Sequence, residues 1–301
     1  MRWLLTLLVS LCPFMASAAD LVEPLRFDGE NRRYELHLPP QYASKDLPVV
    51  VNLHGGGGNA QMHRVQTQMD KTADKYGFIV VYPEGTATGL AKLVRMYTWN
   101  AGACCGTSVE DNVDDVGFIS KVLDDLDKKY RIDKKRIYCT GMSNGAMMAY
   151  RLGMEKADRF AAICAVASAK GTSKPLPARP VPVLHIHGLW DTNAPYTGGI
   201  GPTSVSQHEH ESVYDTMFWW CDANGLLKQQ YLWRVYRQYV VGKWDNARRN
   251  SGAPVELYLL RDGGHTWPGG VDVTPNAGTG PVSSFSANET MWTFFKRFKL
   301  P

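Results

Sequence analysis

Hydrophobic residues along the chain fall into short continuous runs, and segments with helical apolar spacing lie between them. A continuous apolar run is typical of a strand that is buried on both faces of a parallel sheet. The sequence predicts an alternating opening strand at 33–38, followed by buried strands at 47–53, 78–82, 137–139, 160–166, 183–188 and 255–260.

The segments between these strands predict helices. Strands that alternate with helices indicate an α/β fold, in which a mostly parallel central sheet is flanked by helices. The stretch 84–108 is predicted to be a loop, and 192–253 is the least regular part of the chain. No internal repeat or interdomain linker is apparent, so residues 20–301 are predicted to form a single domain. The predicted helices are 61–76, 116–130, 146–152, 211–223 and 287–298.

The clearest local signal is a strand, a tight turn and a helix between residues 136 and 151. The turn reads Gly-Met-Ser-Asn-Gly at 141–145. A serine on a sharp strand-to-helix turn is left exposed above the sheet, and the flanking glycines remove side chains that would collide. The helix that follows directs its positive N-terminal end toward the same point. We therefore predict that Ser143 is a nucleophile.

A serine nucleophile needs a base to take its proton, and the base needs an acid that holds it in one tautomer. Asp191 and His265 each follow a predicted strand, and the chain order is Ser143, Asp191, His265. This is the order of the triad in α/β-hydrolases. Because the carboxyl ends of parallel strands meet at one edge of a sheet, we expect the three side chains to lie together there.

Other acidic residues compete with Asp191. Asp222 and Asp262 are the rival acids, but Asp262 is only three residues before His265, which makes it difficult to reach around the ring. The acidic residues before the helix at 116–130 are interpreted as N-terminal caps rather than as metal ligands, because carboxylates there satisfy free N–H groups. They are Asp111, Asp114 and Asp115.

The other histidines of interest have structural interpretations. His185 and His187 lie inside a buried strand and are interpreted as packing residues. His54 opens the glycine loop and is expected to shape it by a hydrogen bond. His208 and His210 are interpreted as part of a solvated helix start rather than as a metal site.

A tetrahedral intermediate needs N–H donors directed at its oxyanion. We predict that one donor is the backbone N–H of Asn144, which follows the nucleophile, and that the other is Gly56 in the glycine loop 55–58. This loop lacks the ending of a phosphate-binding P-loop and the spaced glycines of a dinucleotide site. The sequence therefore predicts neither a cofactor nor a metal.

The net charge and the N-terminal segment limit the possible functions of the protein further. The formal net charge is +4, from 33 basic and 29 acidic residues that are scattered along the chain, so a nucleic-acid partner is not expected. Arg2, the apolar run 4–14 and the Ala-Ser-Ala motif at 16–18 predict a signal peptide at 1–19, and thus secretion to the periplasm or the medium. No other stretch is apolar enough to predict stable membrane insertion.

The chain contains six cysteines, and Cys12 lies in the predicted signal peptide. Five cysteines remain, so at least one thiol is unpaired within a chain. A secreted protein can form disulfides. We expect Cys104 or Cys105 to bridge to Cys139, while the pairing of Cys164 and Cys221 stays open.

A series of longer motifs occurs in a fixed order between about residues 33 and 295. With these motifs the chain resembles the secreted α/β-hydrolase esterases known as polyhydroxybutyrate depolymerases and feruloyl esterases (LpqC-like). Residues 200–253 depart most from the pattern of that family. The motifs are LHGGGG at 53–58, YPEGT at 82–86, TWNAGACCG at 98–106, DDVGFIS at 114–120, GMSNGAMMAYRL at 141–152, HGLWD at 187–191, APYTGG at 194–199 and GGHTWPGG at 263–270.

The resemblance implies that the triad is formed by the serine, aspartate and histidine predicted above. It also implies that the loop carrying Trp99 and the residue Trp267 border the substrate pocket. Together with Trp190, these rings could stack on an aromatic acyl group such as ferulate. Each of the three has ordinary packing as its alternative interpretation.

The sequence thus predicts a secreted serine esterase that acts through an acyl-enzyme on a carboxylic ester. A hydroxyalkanoate oligomer and a phenolic ester of the plant cell wall are the expected substrates. The chain shows no linker or binding domain for dense polyester, which favours a soluble or plant-derived ester. The alternatives are an esterase for acetyl xylan or another polysaccharide ester, a secreted serine peptidase, and a non-catalytic binding protein on the same fold. The oligomeric state stays open.

Overall fold

The computed structural model describes residues 17–229, 231–245, 253–273 and 279–301. Most of the predicted signal peptide, including Cys12, lies outside these residues. Among the described helices, none combines the length and the hydropathy that a membrane crossing requires.

A mixed sheet forms the centre of the described part of the chain. Its spatial order is β1-β2-β4-β3-β5-β6-β7-β10-β9-β8. The six strands from β4 to β10 in that order pair in parallel, and antiparallel strands complete both edges. The strands are β1 (Ala19–Phe27), β2 (Glu30–Leu38), β3 (Leu47–Leu53), β4 (Ile79–Pro83), β5 (Ile132–Met142), β6 (Ala162–Val166), β7 (Val183–Gly188), β8 (Tyr231–Val235), β9 (Tyr239–Trp244) and β10 (Val255–Leu260).

Helices cover both faces of the sheet and bury its alternate side chains. Val49 and Val51 of β3 face the cluster that contains α5, α6 and α7, whereas Val50 faces the cluster that contains α1, α2 and α8. The predicted α/β class is therefore confirmed. The helices are α1 (Ala60–Thr67), α2 (Met69–Tyr76), α3 (Gly89–Leu93), α4 (Thr107–Glu110), α5 (Asp115–Lys129), α6 (Asn144–Glu155), α7 (Val213–Ala223) and α8 (Ala287–Phe295).

The predicted helix at 61–76 is two helices rather than one. Gln68 has a φ of 50° and lies in the left-handed region, so the hydrogen-bond ladder of α1 ends there and α2 begins at the next residue. The predicted loop at 84–108 likewise contains the short helix α3 and the start of α4. Neither short helix has a strong apolar face that would have revealed it.

Three strands at the sheet edges were not predicted. β1 is half exposed along its whole length and contains Pro24, and nearly all of β8 is exposed. β9 links β8 to β10, so the irregular region 192–253 contributes a hairpin to the sheet. A strand at the edge of a sheet needs only one apolar face or none. The sequence of such a strand therefore lacks the continuous apolar run that indicates a buried strand.

The disulfide prediction is wrong. Cys104 and Cys105 are bonded to each other, and Cys139 is a free buried thiol, as are Cys164 and Cys221. Cys139 lies in β5 at the centre of the sheet, where apolar strands surround it on both sides. The two adjacent cysteines instead lie in the loop that precedes α4.

Candidate active site

The turn between β5 and α6 holds Ser143 in a strained backbone conformation. Its φ is 55° and its ψ is −122°, a region that costs a residue with a side chain about 1–3 kcal/mol. The glycines around it are required by close approach: a Cβ on Gly145 would lie 2.3 Å from the carbonyl oxygen of Leu53, and a Cβ on Gly141 would lie 2.4 Å from that of Gly145. The turn therefore depends on both glycines, as the sequence predicts.

Three strand ends bring the predicted triad residues into hydrogen-bond contact. Ser143 follows β5, Asp191 follows β7 and His265 follows β10. The Nε2 atom of His265 lies 3.0 Å from Oγ of Ser143, and its Nδ1 atom lies 2.8 Å from Oδ2 of Asp191. These are the distances at which a base can accept the serine proton and an acid can fix the base in one tautomer.

The carboxylate of Asp191 is buried and fully engaged. Its Oδ1 atom accepts the backbone N–H groups of Asn193 and Ala194 at 3.0 and 2.8 Å. His187 Nε2 lies 3.3 Å from Oδ2. Burial alone would raise the pKa of Asp191, but the charge of His265 and the hydrogen bonds from both histidines outweigh it and hold the pKa well below its usual range. The Asp191 carboxyl group is therefore an anion at neutral pH.

The loops that carry the acid and the base cross with their backbones in contact. The N–H of Trp190 donates to the carbonyl oxygen of Gly263 at 2.9 Å. A Cβ on Gly188 would lie 2.2 Å from the same oxygen. Because β7 and β10 are also paired neighbours, the positions of Asp191 and His265 relative to each other follow from the sheet register.

The two residues predicted to supply the oxyanion donors, Gly56 and Asn144, lie next to each other beside Ser143. Asn144 is the first residue of α6, and a Cβ on Gly56 would lie 3.5 Å from its Cβ, so the two are neighbours. Within the described ranges, neither N–H donates a hydrogen bond to another group. Free donors of this kind are what an oxyanion needs.

The side chain of Asn144 has a role that the sequence did not reveal. Its Oδ1 accepts the N–H of Trp99 at 2.7 Å, and its Nδ2 donates to the carbonyl oxygens of Trp99 and Cys104 at 3.1 and 2.9 Å. All three of these hydrogen bonds are buried. Asn144 thus fastens the loop with the adjacent cysteines to the start of α6, and the motif gave no sign of this because the loop is distant in sequence.

The three tryptophans predicted to border the pocket have different surroundings. Trp99 is fully buried, and its Nε1 donates to the carbonyl oxygen of His54 at 2.9 Å. Trp267 is also buried and donates to Asn288. Neither ring has a free face for stacking on a substrate, so their packing interpretation holds in this structure. Trp190 is 65% exposed and adjoins Asp191, so it alone keeps a ring face available.

The remaining histidines divide into expected and unexpected cases. His54 shapes the glycine loop as predicted, because Nδ1 contacts the carbonyl oxygen of Gly55 at 2.8 Å and Nε2 accepts the N–H of Gly85 at 3.0 Å. His210 is not in a solvated helix start: it is buried in a bridge to Gly199, and α7 begins only at Val213. Burial, together with His208, lowers the pKa of His210 to about 4.

The rival acidic residues have structural partners. Asp262 accepts the hydroxyl of Ser283 at 2.6 Å, and Asp222 pairs with Lys228 at 2.7 Å. Asp114 caps α5 as predicted, since it accepts the N–H of Gly117. Asp115 differs from the prediction because it is fully buried and pairs with Arg32 at 2.8 Å.

A cavity of about 680 Å³ lies between the β1–β2 hairpin and the segment 84–97. None of its lining residues belongs to the triad, so cavity volume does not mark the catalytic region here. Its charged lining residues are Asp28, Glu30, Arg32, Arg33, Glu84, Lys92, Arg95, Asp111 and Asp114.

Comparison with known proteins shows that the chain is similar to esterases. Residues 32–171 match the family model described as esterase PHB depolymerase. The chain is 29% identical over 272 residues to the protein named "Putative esterase NocK" from Nocardia uniformis subsp. tsuyamanensis, a match that covers 85% of this chain and 76% of that protein. By these similarities the chain is a carboxylic ester hydrolase.

Other proteins similar to this chain are named feruloyl or acetyl xylan esterases. Feruloyl esterase B of Piromyces equi is 27% identical over 269 residues, which cover 85% of this chain but 43% of that protein. The esterase thus spans less than half of that relative. Among solved structures, an acetyl xylan esterase from Aspergillus awamori superposes with a TM-score of 0.64 at 16% identity, over 92% of this chain and 99% of that one. This likeness shows the α/β-hydrolase fold.

Proposed function

We propose that the esterase works through a Ser-His-Asp triad and a covalent acyl-enzyme. His265 takes the proton of the Ser143 hydroxyl as Oγ attacks the ester carbonyl, and it then gives that proton to the leaving alcohol. Asp191 keeps the His265 ring in the required tautomer. A water molecule, deprotonated by the same histidine, releases the acid from Ser143 and restores the free enzyme.

One observation carries this proposal. The two hydrogen-bond distances from Ser143 to His265 and from His265 to Asp191 are 3.0 and 2.8 Å, and they join residues 122 and 74 positions apart in sequence. A strained serine on a strand-to-helix turn supports the same assignment, because it presents Oγ above the sheet edge.

We propose that the N–H groups of Gly56 and Asn144 form the oxyanion hole. Both are free donors beside the nucleophile, and the N-terminus of α6 adds its partial positive charge at the same place. Loss of one such donor in other serine hydrolases costs about 10²- to 10³-fold in kcat.

The substrate class that we propose is an acetyl or feruloyl ester of a plant cell-wall polysaccharide. The names of the relatives support this class, and the exposed ring of Trp190 offers a stacking face next to the acid. An oligomer of a hydroxyalkanoate is the second candidate, which the description of the matching family favours.

The test is hydrolysis by the wild type, by Ser143→Ala and by Ser120→Ala. Ser120 is a matched control because, in the part of the chain that the structure describes, its hydroxyl bonds only to the carbonyl oxygen of Val116 in α5. The panel contains nitrophenyl acetate, nitrophenyl butyrate, methyl ferulate, acetylated xylan, a soluble 3-hydroxybutyrate oligomer and a peptide. We expect kcat/KM to fall by about 10⁴-fold or more in Ser143→Ala and to stay unchanged in Ser120→Ala.

The panel separates the alternatives. The ester with the highest kcat/KM assigns the substrate class, and peptide turnover that exceeds ester turnover would favour the serine peptidase. If Ser143→Ala retains wild-type activity, the triad is wrong. If the wild type hydrolyses nothing on the panel, the binding-protein alternative gains support.

We also propose that the protein is secreted after removal of residues 1–19. N-terminal sequencing of the exported protein should then begin within a residue or two of position 20. An exported chain that still begins at Met1 would contradict this.

A further inference from the structure

A line of buried side chains leads from the triad acid into the core. The hydroxyl of Tyr150 lies 2.6 Å from Nδ1 of His185, and Nε2 of His185 lies 3.0 Å from Nδ1 of His187. The Nε2 atom of His187 lies 2.8 Å from the carbonyl oxygen of Ala194 and 3.3 Å from Oδ2 of Asp191. Tyr150, His185 and His187 are each at most 1% exposed.

The proton positions in this line follow from the chemistry of its two ends. A carbonyl oxygen only accepts, so His187 must carry its proton on Nε2 to bond with Ala194. The Nδ1 atom of a neutral His187 then accepts from Nε2–H of His185. The Nδ1 atom of His185 in turn accepts the hydroxyl proton of Tyr150. Every donor in the line therefore points toward Asp191.

The opposite direction leaves a donor without a partner. It would need a charged His187 that donates from Nδ1 to His185, and His185 would then donate to Tyr150. In the described part of the chain the Tyr150 hydroxyl has no acceptor other than His185, so its proton would be buried and unpaired. Burial also lowers the pKa of His185 and raises that of Tyr150, which keeps the ring neutral and the hydroxyl protonated.

At the end of this line of side chains, hydrogen bonds hold both carboxylate oxygens of Asp191 in place. His187 fixes the carbonyl group of Ala194, and the N–H of that same residue donates to Oδ1 of Asp191 at 2.8 Å. The Nε2–H group of His187 also faces Oδ2, the oxygen that binds His265. The start of the line is Tyr150 in α6, the helix that begins beside Ser143.

We propose that His187 is a positioning residue for Asp191, and that His185 and Tyr150 hold it in the tautomer that this requires. The hydrogen bonds then form a closed circuit from the nucleophile helix through the core to the acid, the base and back to the nucleophile. The proposal rests on the triad mechanism proposed above. It explains why His187, a strand residue that is expected only to fill the core, has a polar partner at each ring nitrogen.

The first experiment reads the tautomers directly and does not depend on activity. In protein labelled with ¹⁵N-histidine, both His185 and His187 should give the spectrum of a neutral ring protonated on Nε2, between about pH 6 and 8. His185→Gln and His187→Gln assign the two signals. A proton on Nδ1 of either ring would overturn the proposal, whether or not the protein hydrolyses esters.

The second experiment compares two replacements of similar size, His187→Gln and His187→Leu. Glutamine retains an N–H donor near the position of Nε2, whereas leucine fills the space without one. We expect kcat to fall by about 10- to 100-fold in His187→Leu and by only a few-fold in His187→Gln, with KM unchanged in both, because the residue does not touch substrate. A role in packing alone would give the reverse order, since a buried glutamine packs less well than leucine.

Tyr150→Phe tests the line of hydrogen bonds at the end that is farthest from Asp191. It also keeps the proposal testable if His187→Leu does not fold. It keeps the ring that stacks 5.9 Å from Trp220 and removes only the hydroxyl. We expect His185 to remain protonated on Nε2, the ¹⁵N signal of its Nδ1 atom to shift because that atom loses its donor, and kcat to fall a few-fold. An unchanged Nδ1 signal would show that Tyr150 does not donate to His185 and would refute the assigned direction of the line. Activity that persists in Ser143→Ala would instead contradict the triad, while the tautomers would still decide the hydrogen-bond line.

Discussion

At the scale of single residues, the active site depends on positions where a side chain cannot be accommodated. Gly145 has backbone oxygens of both Leu53 and His54 within 2.5 Å of any added Cβ. Backbone atoms cannot move aside as the end of a side chain can, because they belong to β3 and to the glycine loop. The strain at Ser143 is therefore maintained by its neighbours and not by the serine itself.

We predict that Gly145→Ala inactivates the enzyme and destabilises it by more than 2 kcal/mol, a cost typical of strain at a packed site. Gly153→Ala is the matched control in the same helix, because the added methyl group would meet side chains rather than backbone: the flexible end of Ile163 at 2.8 Å and the ring of Trp220 at 3.3 Å. It should retain most activity, helped by the better helix propensity of alanine. Ester turnover and urea unfolding measure both effects. Equal losses in the two variants would contradict the role of backbone contact.

The sequence indicated which three side chains would meet at Ser143, but it did not indicate which residues contact them. Ser143, Asp191 and His265 each follow a strand, so topology alone places them at one edge. The roles of the Asn144 side chain and of His187 depend on partners 40 to 45 and 4 to 7 residues away that meet only in the folded chain. The apolar setting of His187 indicated burial correctly but gave no information on its tautomer.

At the scale of helices and strands, the buried strands were predicted more accurately than the exposed ones. The strands at 47–53, 183–188 and 255–260 were predicted to the residue because each is a continuous buried run between two neighbours. Strands β1 and β8 were missed because solvent replaces one of those neighbours and the apolar run disappears. The break at Gln68 could not be predicted either, since no glycine or proline marks it.

One polar contact ties the edge strands to a helix and makes their stability depend on pH. His37 of β2 contacts Asp20 of β1 at 2.7 Å through Nδ1 and Asp74 of α2 at 2.9 Å through Nε2. Both partners only accept, so the ring must be charged. Burial opposes the charge, but the carboxylates outweigh it and raise the pKa of His37. A raised pKa adds stability below the unfolded value near 6.5, and this stability is lost as the pH rises through the folded value.

We predict that His37→Gln destabilises the protein at about pH 5.5 and that the difference from wild type shrinks toward about pH 9. An ion pair of this exposure contributes about 0.5–1 kcal/mol. Urea unfolding at the two pH values measures the difference, and Asp74→Asn should remove part of the pH dependence. A difference that grows with pH would show that the folded histidine is neutral.

At the scale of the whole molecule, aromatic packing joins the irregular region to the sheet. Trp244 of β9 is 1% exposed and lies edge-on to Phe218 of α7 and Trp233 of β8, with ring centroids about 6 Å apart. Its Nε1 donates to the carbonyl oxygen of Lys228. Trp244 is therefore one of the contacts that anchor the stretch that departs most from the family pattern.

We predict that Trp244→Ala lowers the free energy of unfolding by about 3–5 kcal/mol, the usual cost of deleting a buried tryptophan ring. Trp219→Ala is the control, because that ring is only partly buried against the core. Trp219→Ala should lower the free energy of unfolding by clearly less than Trp244→Ala does. Denaturant unfolding measures both, and a similar cost for the two variants would show that the hairpin is not anchored in this way.

The crossing of the acid and base loops has a consequence for how this enzyme can evolve. At Gly188 and Gly264, an added Cβ would lie within 2.3 Å of a backbone oxygen, and neither position has a side chain to vary. Natural drift and laboratory libraries can therefore reshape the surrounding surface for a new ester, while the spacing of the acid and the base stays fixed. New specificities should arise around Trp190 and the hairpin, and the catalytic pair should be inherited unchanged.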